Sequence, residues 1–423
     1  MNFFARFKKF FLIIGFLAVV FLIGYLLWKF FFKSSPAIEV PPANETPQTI
    51  DGLPVASEGG GQIATPGGTS GLPITEGSIS QTTETAFESG TILNPSETAL
   101  GGVTKTTAVN KNPSLGVTLN SSGQVQYYDR LDKKFYKLNS DGTKTVLSDK
   151  LFHSVESVTW DQNGNKAVIE YPDGSKISYD FTTQKQVTLP SHWQDFSFST
   201  NGDKLLSESI GLNEDDSWLV VSNADGSQAK AFEKIGEQHP NIYPTWSPNN
   251  QIVALNTGGV DFNRQELFFV GLNGENFKST IMEGRGLQFE WSKEGDRLLY
   301  SVYSSNTNYN PSLWIVDASG DNIGQNRTAL NLQTWANKCT FASNTEVYCA
   351  VPEELEKGAG LFPELADRTK DDLYKIDLTT GSKKLIAIPE SFYNISQIIV
   401  SEDQDFLYFT DKFSGRLYKI KLQ

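Results

Sequence analysis

A turn of aromatic-Ser-Pro-Asn-Gly type returns every 40 to 60 residues or so, and an apolar strand running into Asp-Gly recurs between the copies. With one long uncharged apolar run near the start, these features predict an all-β fold. That fold is a seven-bladed β-propeller, six blades being the alternative, preceded by one transmembrane α-helix and a disordered linker. Composition agrees. The 423 residues include 35 Gly, only 2 Met and 12% aromatics, a balance suited to many short strands joined by turns.

Phe10 to Trp28 runs without a charge, and the apolar character resumes at Phe30–Phe32. About 20 helical residues span the roughly 30 Å hydrocarbon layer, so 10–32 is expected to be an uncleaved signal anchor. A secretory leader would have a shorter core and a small-residue cleavage site, for which Ser35-Pro36-Ala37 is a poor match. Arg6, Lys8 and Lys9 precede the span and Lys29 and Lys33 follow it. With the α-amino group, the excess of positive charge keeps residues 1–9 cytoplasmic and the remainder outside.

Residues 33–103 show no hydrophobic periodicity and are rich in Pro, Gly, Ser and Thr, as in Gly59-Gly60-Gly61 and Pro66-Gly67-Gly68. Such a segment buries too little apolar surface to offset its chain entropy and is expected to be a disordered linker. The propeller then occupies 104–423.

Within it, Trp160-Asp-Gln-Asn-Gly164, Phe198-Ser-Thr-Asn-Gly202, Trp246-Ser-Pro-Asn-Asn250 and Trp291-Ser-Lys-Glu-Gly295 share one pattern, with weaker copies at Leu119, Phe341 and Val400. Successive copies are 41, 38, 48, 45, 50 and 59 residues apart, in and just above the range of one four-stranded blade. A second pattern completes each unit: Trp218–Val221 into Asp225-Gly226, Leu267–Val270 into Asn273-Gly274, and Leu373–Ile376 into Thr380-Gly381 are examples. Asp-Gly and Asn-Gly tolerate the positive φ of tight hairpins. The seventh unit, Ile395–Leu422, holds only three strands. A ring without an open sheet edge needs a fourth, and Thr104–Val109 is the expected donor.

Together these two motifs resemble the TolB-like, WD-repeat-like β-propeller family, whose blades read W/F-S-P-D-G-K and L-Y-V-x-D-x-D-G. The resemblance spans about 115–423. It implies a fold rather than an activity, since propellers serve as periplasmic scaffolds, lyases and peptidase accessory domains alike. A bacterial envelope setting suits it.

Chemistry is sparse. His153, His192 and His239 are not spaced as metal ligands, and no nucleophile elbow, P-loop, Rossmann fingerprint or EF-hand loop occurs, so no catalytic residue, metal or cofactor is expected. The net charge of −13, of which residues 114–423 carry −12, argues against nucleic acid as a partner. Asp215-Asp216 and Asp371-Asp372 read as solvated loop charges. Trp160, Trp246 and Trp291 read as inter-blade core rather than a sugar-stacking set. If Phe341 lies opposite Val347, then Cys339 and Cys349 also face each other across a hairpin, within reach of a disulfide; free thiols are the alternative.

The loop between the second and third strands is short in the first two units and longer in four: Ile210–Ser217, Thr257–Gln265, Tyr303–Ser312 and Val351–Asp372. These emerge on one face of a propeller. Phe262, Arg264, Tyr309, Phe362 and Arg368 are therefore the candidate binding-face residues, neutral drift in loop length being the other reading. The expected function is a non-enzymatic, membrane-tethered scaffold for a protein or cell-envelope component. The alternative is an envelope enzyme acting on glycan or peptide with carboxylates at the axial channel.

Overall fold

A computed structural model describes residues 19–25 and 94–423. The described residues fall in two units, 19–25 in one and 94–423 in the other. In the first, residues 19–25 are helical. Among the described residues no helix is long and apolar enough to cross a membrane. The span expected at 10–32 lies outside them except for 19–25, and so does the expected linker up to residue 93.

The second unit is a seven-bladed propeller built from seven sheets. Blade one comprises Ser114–Leu119, Val125–Asp129, Lys134–Leu138 and Lys144–Val146; blade two, Ser157–Trp160, Lys166–Glu170, Lys176–Asp180 and Lys185–Leu189. Blade three comprises Trp193–Phe198, Lys204–Ser209, Trp218–Asn223 and Lys230–Lys234; blade four, Ile242–Pro244, Ala254–Gly259, Gln265–Val270 and Thr280–Met282. Blade five comprises Arg285–Trp291, Arg297–Tyr303, Pro311–Asp317 and Thr328–Ala329; blade six, Cys339–Phe341, Glu346–Pro352, Asp371–Asp377 and Lys383–Pro389. Blade seven pairs Ile395–Val400, Phe406–Asp411 and Leu417–Lys421, and its outermost strand is Thr107–Ala108, antiparallel to Leu417–Lys421. The amino-terminal donor thus closes the ring.

The chain ahead of that donor is also ordered, from residue 94 rather than 104. Val103–Thr104 adds a fifth, parallel strand to blade six, Thr104 lying opposite Pro389. Ala99 donates to the Lys421 carbonyl (2.9 Å) and Gly101 to the Ile386 carbonyl (2.7 Å). The low hydrophobicity of this stretch hides its order from the sequence, because it is held by backbone pairing rather than by apolar side chains.

The recurrent turn has a specific logic. Its Ser accepts a hydrogen bond from the amide five residues on: Lys204 to Ser199 (3.0 Å), Ile252 to Ser247 (2.9 Å), Arg297 to Ser292 (2.9 Å) and Phe406 to Ser401 (3.0 Å). Asp161 does the same for Lys166 (2.8 Å). In six of the seven copies the turn holds one left-handed residue, supplied by Gly123, Gly164, Gly202 and Gly295, and by Asn250 and Gln404 where glycine is missing.

These turns and the Asp-Gly turns leave one face of the ring, the turn face. The second-to-third strand loops and the blade-to-blade connections leave the other, the loop face. Apolar residues of each blade pack on the next. One cluster joins Leu255, Leu267 and Phe269 of blade four to Leu298, Tyr300 and Val316 of blade five. The motif tryptophans reach back to the preceding blade. Trp160 Nε1 donates to the Gly116 carbonyl (2.7 Å) and Trp291 Nε1 to Thr245 Oγ1 (2.8 Å). Gly116 permits this approach, since a Cβ there would lie 2.7 Å from Val158 Cβ and its φ is +58°.

In blade six Phe341 pairs with Val347 and Cys339 with Cys349, and the two cysteines are joined as a disulfide. A bridge closing so short a loop contributes on the order of 2–3 kcal/mol. Replacing both cysteines with alanine should lower the stability of the oxidised protein by about that amount, read from urea unfolding. Dithiothreitol should then destabilise the wild type and leave the variant unmoved.

Candidate binding face and axial channel

The inserted loops of blades four, five and six form one ridge on the loop face. In blade four the strands run further than expected: Thr257, Gly258 and Gly259 pair with Leu267, Glu266 and Gln265, which shortens the loop to residues 260–264. Asn263 Oδ1 accepts from the Ser305 amide of blade five (3.1 Å). Phe262 packs edge-on against Tyr309, with ring centroids 6.3 Å apart. Blade five in turn holds blade six. The Gly358 and Gly360 amides donate to the Asn308 and Tyr309 carbonyls (2.9 and 2.8 Å). Gly360 must be glycine at this contact, because a Cβ would come 2.6 Å from both Tyr303 Cβ and the Tyr309 carbonyl oxygen.

Of the five residues singled out by sequence, Phe262 and Phe362 are largely solvated, at 74% and 62% exposure. Tyr309 is half-buried beneath Phe262, at φ +59°. Arg264 is engaged with Asp261 (2.7 Å), while Arg368 is exposed beside a recess of about 380 Å³ that Glu353, Leu355 and Phe392 also line. The structure therefore joins Phe262, Arg264 and Tyr309 in one cluster and sets Phe362 and Arg368 on the neighbouring loop.

Residues 353–370 are not a simple appendage. Ala359 and Ala366 pack on Trp335 in a small core of their own, and Asn394 Nδ2 donates to the Ala366 carbonyl (2.8 Å).

Other apolar residues share this face without lying in long loops. Phe392 is 56% exposed in the connection into blade seven and Phe413 is 61% exposed in the short loop of that blade. Leu131 and Leu151 are also exposed in short connections of this face, and Leu212 and Leu361 within the long loops. Among the described residues, none of the exposed large apolar side chains lies in a turn of the turn face.

Asp371 overturns the reading of a solvated pair. It is fully buried at the start of a blade-six strand, where both carboxylate oxygens accept from Lys338 Nζ (2.9 and 2.8 Å). The Ile395 amide of blade seven donates to it as well (2.6 Å). Burial drives the Asp371 carboxyl up and the Lys338 ammonium down, each offset in part by the other's charge. Its partner is 33 residues away, which no local spacing reveals. Asp215 and Asp216, by contrast, are exposed.

A second buried acid was not legible either. Glu208 lies between blades three and four, with Oε1 unpartnered among the described residues. Burial first, then the Asp195 charge, raises its carboxyl to about 8 against a bond from Gln194. Asp195 occupies the left-handed first position of a bulge (φ +53°), where blades one and five have Gly116 and Gly286.

The axial channel is lined by the first strands of the blades. Two adjoining cavities, about 710 and 520 Å³, share Gln162, Glu290, Trp291 and Lys293. The residue just before each motif anchor is Thr118, Thr159, Ser197, Thr245, Glu290, Thr340 and Ile399 in blade order. Glu290 stands where five blades have a hydroxyl. Its side chain is exposed to the lumen, and the surrounding channel wall strips part of its hydration and raises its carboxyl above the ordinary value.

The fold defines this chain as a seven-bladed β-propeller, and comparison with solved structures agrees. It is similar to an oligogalacturonate lyase in complex with manganese, at 10% identity and TM-score 0.50, over 75% of this chain and 93% of that one. It is equally similar to the Cps50 (Swd1) β-propeller domain of Myceliophteria thermophila, at 12% identity and TM-score 0.50, over 75% of this chain and all of that one. These likenesses show the propeller fold and no narrower family. No family model matches the sequence, and no curated protein matches it.

The Glu208 pKa sets a sign. Its folded value, about 8, lies above the ordinary 4.5, so the folded state keeps a proton that the unfolded chain has released. That stability is complete below about pH 4.5 and is lost as pH rises through about 8, at no more than roughly 1.4 kcal/mol per pH unit. Between pH 6 and 8.5 the wild type should lose Tm more steeply than Glu208→Gln, by differential scanning fluorimetry. Parallel curves would remove Glu208 as the source.

Proposed function

We propose that this chain is a non-enzymatic propeller, tethered to a membrane by its amino-terminal apolar run, that captures a protein of the cell envelope through its loop face. The observation that carries this reading is the segregation of exposed apolar side chains. Phe262, Phe362, Phe392 and Phe413 all lie on the loop face, and the turns of the opposite face carry no such group among the described residues. Aromatic groups on a preorganised surface are the usual anchors of protein recognition, because little is lost in ordering them on binding.

The flanking charge specifies the partner further. Around the blade-six part of the ridge Lys357, Arg368 and Lys370 are outnumbered by acids; Lys370 pairs with Glu353 (3.6 Å), and Glu354, Glu356 and Glu364 leave the rim net negative. They favour an apolar patch with a basic rim, and they disfavour an anionic bilayer. Hydrolysis of a glycan with two convergent carboxylates draws no support from the axis. Of the residues lining its two cavities, Glu290 is the one acid. The Phe10–Trp28 run and its flanking charges support an orientation with the propeller outside the cytoplasm.

A photo-crosslinking side chain at position 362 should trap a partner in native cells that one at Ser140, on the turn face, does not. Phe262→Ser combined with Phe413→Ser should reduce that crosslinking at least tenfold without changing the circular dichroism spectrum, and raised salt should weaken it. Equal trapping from both faces, or trapping indifferent to the two substitutions, would contradict the reading.

A further inference from the structure

We infer that the axial channel, independently of the loop face, binds a short zwitterionic peptide, with its amino terminus at Glu290 and its carboxylate at Lys293. Glu290 and Lys293 both line the two axial cavities, and neither has a hydrogen-bond or ion-pair partner among the described residues. They are not satisfied by each other: no ion pair joins them, and the raised Glu290 carboxyl carries no contribution from the lysine. The channel therefore holds one unspent group of each sign.

Spacing and backbone chemistry narrow the ligand. The two residues are three apart, on a strand that runs out into its turn, so their backbones are at most about 10 Å apart. An extended peptide of about three residues has the same reach. Each first strand pairs on one side only, with the second strand of its own blade, and turns its other backbone edge toward the axis. Such an edge offers amides and carbonyls in the alternation that an extended peptide requires. Gln162 of blade two and Asn337 ahead of blade six, both exposed and without side-chain bonds among the described residues, add free amides to the same cavity.

The carboxylate form of Glu290 is the one that receives an ammonium, so binding weakens toward acid pH as this carboxyl, raised above its ordinary value, takes up a proton. Affinity rises as Glu290 ionises. It falls again as the peptide amine, with an ordinary pKa of about 8, loses its proton.

The test is calorimetric titration of trialanine into the full-length protein, with Trp291 fluorescence as a second readout. Glu290→Thr restores the hydroxyl found at this position in most blades and so preserves the fold. Trialanine should bind the wild type with a bell-shaped pH dependence. Glu290→Thr should weaken it at least tenfold and abolish the acid limb, and Lys293→Ser should weaken trialanine but not its carboxamide. N-acetyl-trialanine should bind the wild type no better than trialanine binds Glu290→Thr. Absence of binding at millimolar peptide, or affinity unchanged by both substitutions, would overturn the proposal.

Discussion

Every blade of this ring depends on its two neighbours, so the pairing of Thr107–Ala108 with Leu417–Lys421 is the contact on which the rest stands. Four short strands present two apolar faces, and neither is covered within the blade. Closing the circle covers all of them at once and replaces the open outer edge of a three-stranded seventh sheet. The closing strand is brief, but its surroundings are not. Val109 donates to the Leu417 carbonyl (2.8 Å), Asn110 Oδ1 accepts from the Leu417 amide (2.9 Å), and Val103–Thr104 lies along blade six. The amino-terminal segment therefore binds the last two blades together before it enters the first.

Polar contacts then fix the blades against one another. On the axis the motif tryptophans and their backbones reach the preceding blade, as Trp246 does when its amide donates to Ser197 Oγ (2.8 Å). At the loop face the buried Lys338–Asp371 pair receives the first amide of blade seven. A pair of this kind contributes little net energy compared with apolar packing, but removing one partner strands a charge, so it enforces one alignment of blades six and seven. The ridge from Phe262 to Phe362 inherits that rigidity, since its loops are bonded to each other and to the connection into blade seven.

Much of the fold was legible because propeller blades repeat their backbone chemistry. The Ser or Asp after the aromatic anchor marks a turn since it accepts the amide five residues on, and that bond is local. The register of Cys339 with Cys349 followed from a short hairpin, again local. What escaped was long-range. Asp371 looked solvated because Lys338 lies in another segment; Glu208 looked ordinary because its burial depends on blade four. The candidate face was legible only through loop length, which pointed to Phe262 and Phe362 and passed over Phe392 and Phe413, whose loops are short. Glu290 stands out only once the strands are aligned and its six counterparts are seen.

Hydrogen–deuterium exchange resolved to single amides tests the ring closure most directly. With the closing strand as the keystone of the ring, the Val109 and Leu417 amides should exchange on the same slow timescale as the Leu255 amide in the middle of blade four. All three should also respond together to mild denaturant. Exchange of Val109 and Leu417 orders of magnitude faster than Leu255, with blade four undisturbed, would mean that the ring holds without its clasp and would contradict this account.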